Sequence, residues 1–415
     1  MLQSHVNGKS YAKGSTNNIQ LVSRFRSLRK ENLHCATFKA NIISIPYTRL
    51  ISGADCSREI EEGFGVNGLG ILAISNVPDY VLARKSLLPL ASKFAALPEE
   101  VKAKYVDEAS FFSFGWSHGK EKLSHNTPDI FKGSYYANPL IDKPSCTTSQ
   151  LAKYPYYFQE NIWPKNEVPE LEYEFKKLGK IICDTGLLLA NHCDRYICQH
   201  LPTSTSFPPP NEATPYRGVR EILHRSEIYK ARLLHYFSAV ELQKEVSSHS
   251  CTGNKLGNTN PVSQKKEVDS IESNTWCGWH YDHGLLTGLT AAMYLSQGKE
   301  VPNPDPKAGL YIKNRRGNVV QAFLPMDSIA FQVGEALQVA SGGLFQATPH
   351  YVRSADGPEA ASISRNTFAV FMQPSVDEIM VIPSGISSSS VAIGKWQKNM
   401  SFGDFSEKTF KSYYE

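Results

Sequence analysis

Residues 279–290 read WHYDHGLLTGLT, with two histidines and an aspartate inside four positions and an apolar run behind them. Side chains alternate along a strand, so His280 and Asp282 face one side of any strand that carries both. Alone this is weak, because the 415-residue chain has twelve histidines. A metal cage needs a third ligand from a different strand. ATPHYVR (347–353) supplies His350, between SGGLFQ and a short strand. Two histidines and one carboxylate bind a first-row metal on one face and leave the other face open.

Further on, SRNTFAVFMQP (364–374) opens a strand with Arg365 and Thr367. A guanidinium and a hydroxyl two apart on one strand face form a fork for a carboxylate. Short β-type runs surround these residues: ARLLHYF, LLTGLTAAMYL, GLYIK, NVVQAFLP, SIAFQV and TFAVFMQP, punctuated by Gly, Pro, Asn and Asp. That texture predicts an antiparallel sandwich or barrel. From Gln243 to Thr275 the chain is rich in Ser, Asn, Lys and Gly without apolar period, which predicts a mobile insertion between strands.

Upstream, LGILAIS (69–75) has the length of a buried strand, and YVLARKSLLPLASKFAAL follows with helical spacing. The clearest helix begins near Pro169, with Leu171, Phe175, Leu178, Ile182 and Leu189 on one face. That stripe reads as core packing. The composition is that of a globular protein, 41% hydrophobic and 20% charged. A net charge of +4 is too small to argue for nucleic acid or an anionic membrane, and no apolar segment approaches the roughly 18 residues that span a bilayer. The eight cysteines form no Cys-x-x-Cys pair, so an intracellular, cytoplasmic setting is the default. The first thirty residues hold five serines and several basic residues, with no acid before Glu31. This suits a plastid or mitochondrial transit peptide or a disordered terminus equally.

Taken together, these segments resemble the isopenicillin-N-synthase-like family of 2-oxoglutarate- and Fe(II)-dependent oxygenases, abundant in plants. WHYDHGLLTGLT is similar to the family's His-Thr-Asp segment, with Tyr281 in place of Thr. MDSIAFQVGEALQVASGGLFQATPHYV matches the stretch from the Gly-Asp turn to the distal histidine, with Gly334-Glu335 as the turn. RNTFAVFMQP matches the Arg-x-Ser segment. IPYTRL, GLGILAISNVP, LPEEVKAKY and GWSHGKE resemble the family's N-terminal part, so the likeness spans about residues 45 to 380.

The resemblance implies a mainly β fold with flanking helices: a distorted double-stranded β-helix (jelly roll) core with N-terminal helical support. It implies iron ligation by His280, Asp282 and His350, with no catalytic residue beyond these ligands. Arg365 and Thr367 would bind the distal carboxylate of 2-oxoglutarate. Tyr236 keeps the tyrosine of the family's Asn-x-Tyr, with Leu234 where the Asn stands. His283 is expected to line the pocket or back the ligands, and His118 to be structural or pocket-lining. The implied partners are O2 and a small-molecule substrate, which a monomer oxidises, with hydroxylation as the default outcome. Succinate and CO2 are released, and ascorbate serves as a reductant. Two alternatives stay open: a same-fold Fe(II) oxidase that uses no 2-oxoglutarate, and a non-catalytic jelly roll that binds a small ligand. The expected organisation is a disordered or transit-peptide-like terminus (1–40), an N-terminal region (41–165) and a supporting helix with its connection (166–225). The jelly roll (226–380, insertion 243–275) and a C-terminal extension (381–415) complete it.

Overall fold

The apolar runs form two facing sheets in the computed structural model, which describes residues 38–121, 129–201, 218–243, 275–383, 386–391 and 393–414. The expectations for residues 1–40 and for the 243–275 insertion fall almost wholly outside the described residues. The smaller sheet is built from β1 (Phe38–Asn41), β12 (Val319–Phe323), β11 (Gly309–Lys313), β14 (His350–Arg353) and β7 (Thr275–His280), in that order. The larger sheet runs β2 (Ser44–Pro46), β3 (Ile71–Ser75), β13 (Ser328–Val333), β8 (Leu286–Thr290), β15 (Ser364–Met372), β6 (Lys230–Tyr236), β5 (Lys132–Ala137) and β4 (Gly115–His118). A hairpin of β9 (Met293–Ser296) and β10 (Lys299–Val301) joins it at β15. The architecture is the jelly roll expected from the sequence, although the sheets do not close into a barrel.

The inner faces meet over two apolar clusters. Ile71, Ala73 and Ala330 from the larger sheet pack with Ile312 and Ala322 from the smaller one. Leu234 and Tyr236 pack with Trp276 and Tyr294. The outer face of the larger sheet carries the main core, under helices α1 (Tyr80–Ala95) and α2 (Leu171–His200). The apolar stripe of α2 is the one the sequence shows: Leu171, Phe175, Leu178, Ile182 and Leu189 are all fully buried. Phe175 meets Phe368 of β15 edge-on at 4.9 Å between ring centroids.

The glycine inside LLTGLT has a packing reason. A Cβ at Gly288 would lie 2.2 Å from Ile182 Cγ2, so β8 can lie under α2 only without a side chain there. That contact fixes the strand that leads away from Asp282. Gly288→Ala should lower stability by about 1–3 kcal/mol through overpacking, read as a lower urea midpoint at unchanged slope. Combining it with Ile182→Ala should cost less than the sum of the two single changes, because the second removes the obstructing methyl.

Candidate metal centre

The antiparallel pairing of β14 with β7 sets His350 directly opposite His280. Their ring centroids are 4.2 Å apart. Asp282 lies two residues beyond the end of β7, in the turn to β8, and not on the strand as the alternation argument assumed. Hydrogen bonding from another element explains the departure. The Asp282 carbonyl accepts from Glu335 N at 2.8 Å, and the Gly334 amide donates to the Leu285 carbonyl at 3.0 Å. A Cβ at Gly334 would sit 2.1 Å from the Gly284 carbonyl oxygen, so this clasp needs glycine. The clasp brings Asp282 Oδ2 to 4.0 Å from His350 Nε2. One ligand atom from each of His280, Asp282 and His350 lies within 4.8 Å of the others.

Both imidazoles are oriented through Nδ1. His280 Nδ1 lies 2.8 Å from the Gly278 carbonyl, and His350 Nδ1 lies 3.2 Å from the Thr348 carbonyl. A carbonyl only accepts, so each Nδ1 carries its hydrogen and each Nε2 keeps a lone pair for a metal. The buried side-chain amide of Gln332 approaches His350 Nδ1 at 2.7 Å. With Nδ1 protonated, that amide must offer Oε1 to the ring, which pairs an oxygen otherwise buried without a partner.

Charge is frustrated in this cluster. Burial first, and then the neighbouring His280, bring the His350 pKa down to about 4. Burial also opposes charge on His280, but Cys277 and Asp282 outweigh it and raise that ring to about 9. Burial likewise opposes ionisation of Cys277, whose thiol is brought down to about 7 by His280, Lys132 and Arg232. Two rings this close do not both become positively charged, whereas one divalent cation facing both Nε2 atoms and the carboxylate satisfies all three groups.

The inner face of the larger sheet supplies the second half of the site. Arg365 pairs across β15 and β6 with Tyr236, and Thr367 with Leu234. The guanidinium lies 4.9 Å from the Tyr236 ring centroid and 5.3 Å from that of Trp276, on the strand that ends at His280. Its Nε and Nη1 are buried with no hydrogen-bond partner among the described residues. The Thr367 hydroxyl donates to the Thr290 carbonyl at 3.3 Å. Leu234 places an apolar side chain beside Thr367, where the family's Asn would offer an amide.

Other sequence expectations separate here. His283 has partners beyond the three candidate ligands. Its Nε2 meets the Tyr157 hydroxyl at 3.1 Å, its ring stacks on Phe402, and burial lowers its pKa to about 4. The ring packs against Tyr157 and Phe402, with Asp282 near enough to act on it. Tyr281 is exposed and does not shape the site's interior. His118 is structural, with Nε2 donating to the Ile130 carbonyl at 2.9 Å and its ring beside Phe237. The sequence reading missed Gln332 and Trp276. Gln332 had a signal, as a polar residue inside a wholly buried strand; Trp276 had none.

No family model and no curated protein matches the chain. Its fold does match solved structures. A full-length Neurospora crassa protein in complex with alpha-KG and thymine aligns at TM-score 0.58 and 17% identity, over 90% of this chain and 97% of that one. A 2OG-Fe(II) oxygenase family protein from Caulobacter crescentus aligns at 0.58 and 14%, over 89% and 98%. JOX2 in complex with 2OG, Fe and JA aligns at 0.56 and 13%, over 94% and 92%. At these identities the likeness concerns the fold: this chain is built on the scaffold of 2-oxoglutarate/Fe(II) oxygenases.

The Gln332 contact generates a prediction. Gln332→Leu keeps the strand but frees the His350 ring, and should weaken Fe(II) or Co(II) binding about 10- to 100-fold in anaerobic equilibrium dialysis. The far-ultraviolet circular dichroism should not change.

Proposed function

We propose that this protein is a 2-oxoglutarate- and Fe(II)-dependent oxygenase that oxidises a small organic molecule, by hydroxylation. The observation that carries the reading is the guanidinium of Arg365, buried between Tyr236 and Trp276 on the sheet facing the His280–Asp282–His350 cluster, with its Nε and Nη1 unpaired and no carboxylate beside it among the described residues. A buried cation without a partner is costly, and a ligand carboxylate removes that cost. The cluster fits Fe(II): two neutral imidazole nitrogens and one carboxylate, with an open side.

In this reading His280, Asp282 and His350 hold the metal, while Arg365 and a turned Thr367 hydroxyl hold the distal carboxylate of 2-oxoglutarate. When bound, iron and 2-oxoglutarate supply the oxidising chemistry, in which O2 is consumed, 2-oxoglutarate loses CO2 to become succinate, and one oxygen reaches the substrate. The chain's own residues orient and shield. Gly278, Thr348 and Gln332 fix the imidazoles, and Tyr236 and Trp276 keep water from the guanidinium. Ascorbate would restore iron oxidised in unproductive cycles.

The isopenicillin-N-synthase-like affinity is part of the proposal, supported by the Arg-x-Thr pair, the retained Tyr236 and the Gly334 turn. So are monomeric action and an intracellular setting. Among the described residues no helix is long and apolar enough to cross a membrane.

Two outcomes test the proposal. His280→Ala, Asp282→Ala and His350→Ala should each abolish Fe(II)-dependent succinate release from 2-oxoglutarate while leaving the thermal unfolding transition cooperative. Full activity in any one at saturating iron removes that residue from the site. Arg365→Ala should retain iron but raise the half-saturating 2-oxoglutarate concentration by the equivalent of about 2–5 kcal/mol, a factor of roughly 30 or more. An unchanged requirement would favour an oxidase that uses no 2-oxoglutarate.

A further inference from the structure

The inner face of the larger sheet has a second charged group that the chemistry above leaves unused. Cross-strand pairing arranges this face in rows: Arg365 with Tyr236 and Lys132; Thr367 with Leu234 and Ser134; Ala369 with Arg232 and Tyr136. Arg232 Nε donates to Ser134 Oγ at 2.9 Å and Nη2 to Glu121 Oε1 at 2.5 Å. Glu121 also accepts from the Tyr136 hydroxyl at 2.8 Å, and its Oε2 lies 3.0 Å from Lys132 Nζ. Lys132 makes a second ion pair with Asp129. The group borders the metal strand: Tyr236, paired with Lys132, lies 5.2 Å from Trp276 of β7 between ring centroids.

This group and Arg365 differ in charge balance. Among the described residues Arg365 has no carboxylate partner, and it suits an anion. Arg232 and Lys132 are matched one for one by Glu121 and Asp129, so a second anion entering here would meet two carboxylates with no surplus cation. The group is not sealed: the Arg232 side chain is 14% exposed and that of Glu121 29%, on the same sheet face as the carboxylate fork. What remains on offer is a guanidinium donor beside a carboxylate acceptor, next to the flat Tyr136 ring, which lies 4.9 Å from the guanidinium. That pairing complements a neutral edge with C=O and N–H side by side.

We propose that the substrate is an uncharged molecule with an adjacent carbonyl and N–H, of the cyclic amide, imide or ureide class, held by Arg232 and Glu121. The inference rests on the oxygenase reading for its chemistry. Its test needs only binding. Arg232 donates to the substrate carbonyl, Glu121 accepts from the N–H, and Tyr136 supplies a ring face. A substrate carboxylate is excluded by Glu121 and Asp129.

The experiment is equilibrium dialysis of the iron- and 2-oxoglutarate-loaded protein without oxygen, against two size-matched panels. One contains uracil, glutarimide and hydantoin; the other contains benzoate and cyclohexanecarboxylate. The amide and imide panel should bind and the carboxylates should not. Glu121→Gln should weaken imide binding about 10- to 100-fold, the loss expected for one charge-assisted hydrogen bond, and should let the carboxylates bind. Carboxylates binding the unaltered protein as well as imides do, no binding by any imide, or an unchanged preference in Glu121→Gln would overturn the proposal. If Glu121→Gln does not fold, the two panels on the unaltered protein still decide. Succinate release with O2 is followed separately: its absence beside intact imide binding counts against the oxygenase reading, not against this assignment.

Discussion

The pairing of β14 with β7 is the contact on which the site depends. It joins residues far apart in the chain and places His280 and His350 face to face. A slip of one residue in this register would turn one ring out of the interior, since side chains alternate along a strand. The neighbouring elements hold the register. Tyr351 pairs and stacks with Tyr311 on one side and meets Trp279 of β7 at a tilt on the other, forming an aromatic layer on the outer face behind the two histidines. Carbonyls of Gly278 and Thr348 then set the ring tautomers, so that backbone geometry chooses which nitrogen meets a metal.

Around that contact the interior is electrostatically divided. The histidines share a charge they cannot both carry, Arg365 has no carboxylate partner among the described residues, and Arg232 and Lys132 are fully matched. Each condition implies a different guest. The first calls for a cation, the second for an anion, and the third for a neutral polar molecule. The interior between the two sheets thereby holds three settings of different charge. Burial makes the contrast strong, because charge interactions are weakly screened there.

Much of this was legible in the sequence where the signal was local. His280 and Asp282 stand two apart, Arg365 and Thr367 stand two apart, and the α2 stripe repeats every three or four residues. The partners of these groups were legible only in part, because strand pairing brings them in from distant segments. Trp276 reaches Arg365 across the sheets, and nothing in its own neighbourhood marks it. Asp282 departed from the strand because the clasp with Gly334 and Glu335 bends the chain there. The partners of His283 were hidden for a similar reason: Tyr157 and Phe402 come from segments distant in the chain.

The most direct measurement of the central claim is an anaerobic titration of the iron-loaded protein with 2-oxoglutarate, followed by visible absorption. Chelation of Fe(II) by a 2-oxo acid in a site with two histidines and one carboxylate gives a charge-transfer band. The account predicts that this band appears only with both components present and saturates at one iron and one 2-oxoglutarate per chain. Protein that binds iron yet shows no band at saturating 2-oxoglutarate would contradict it.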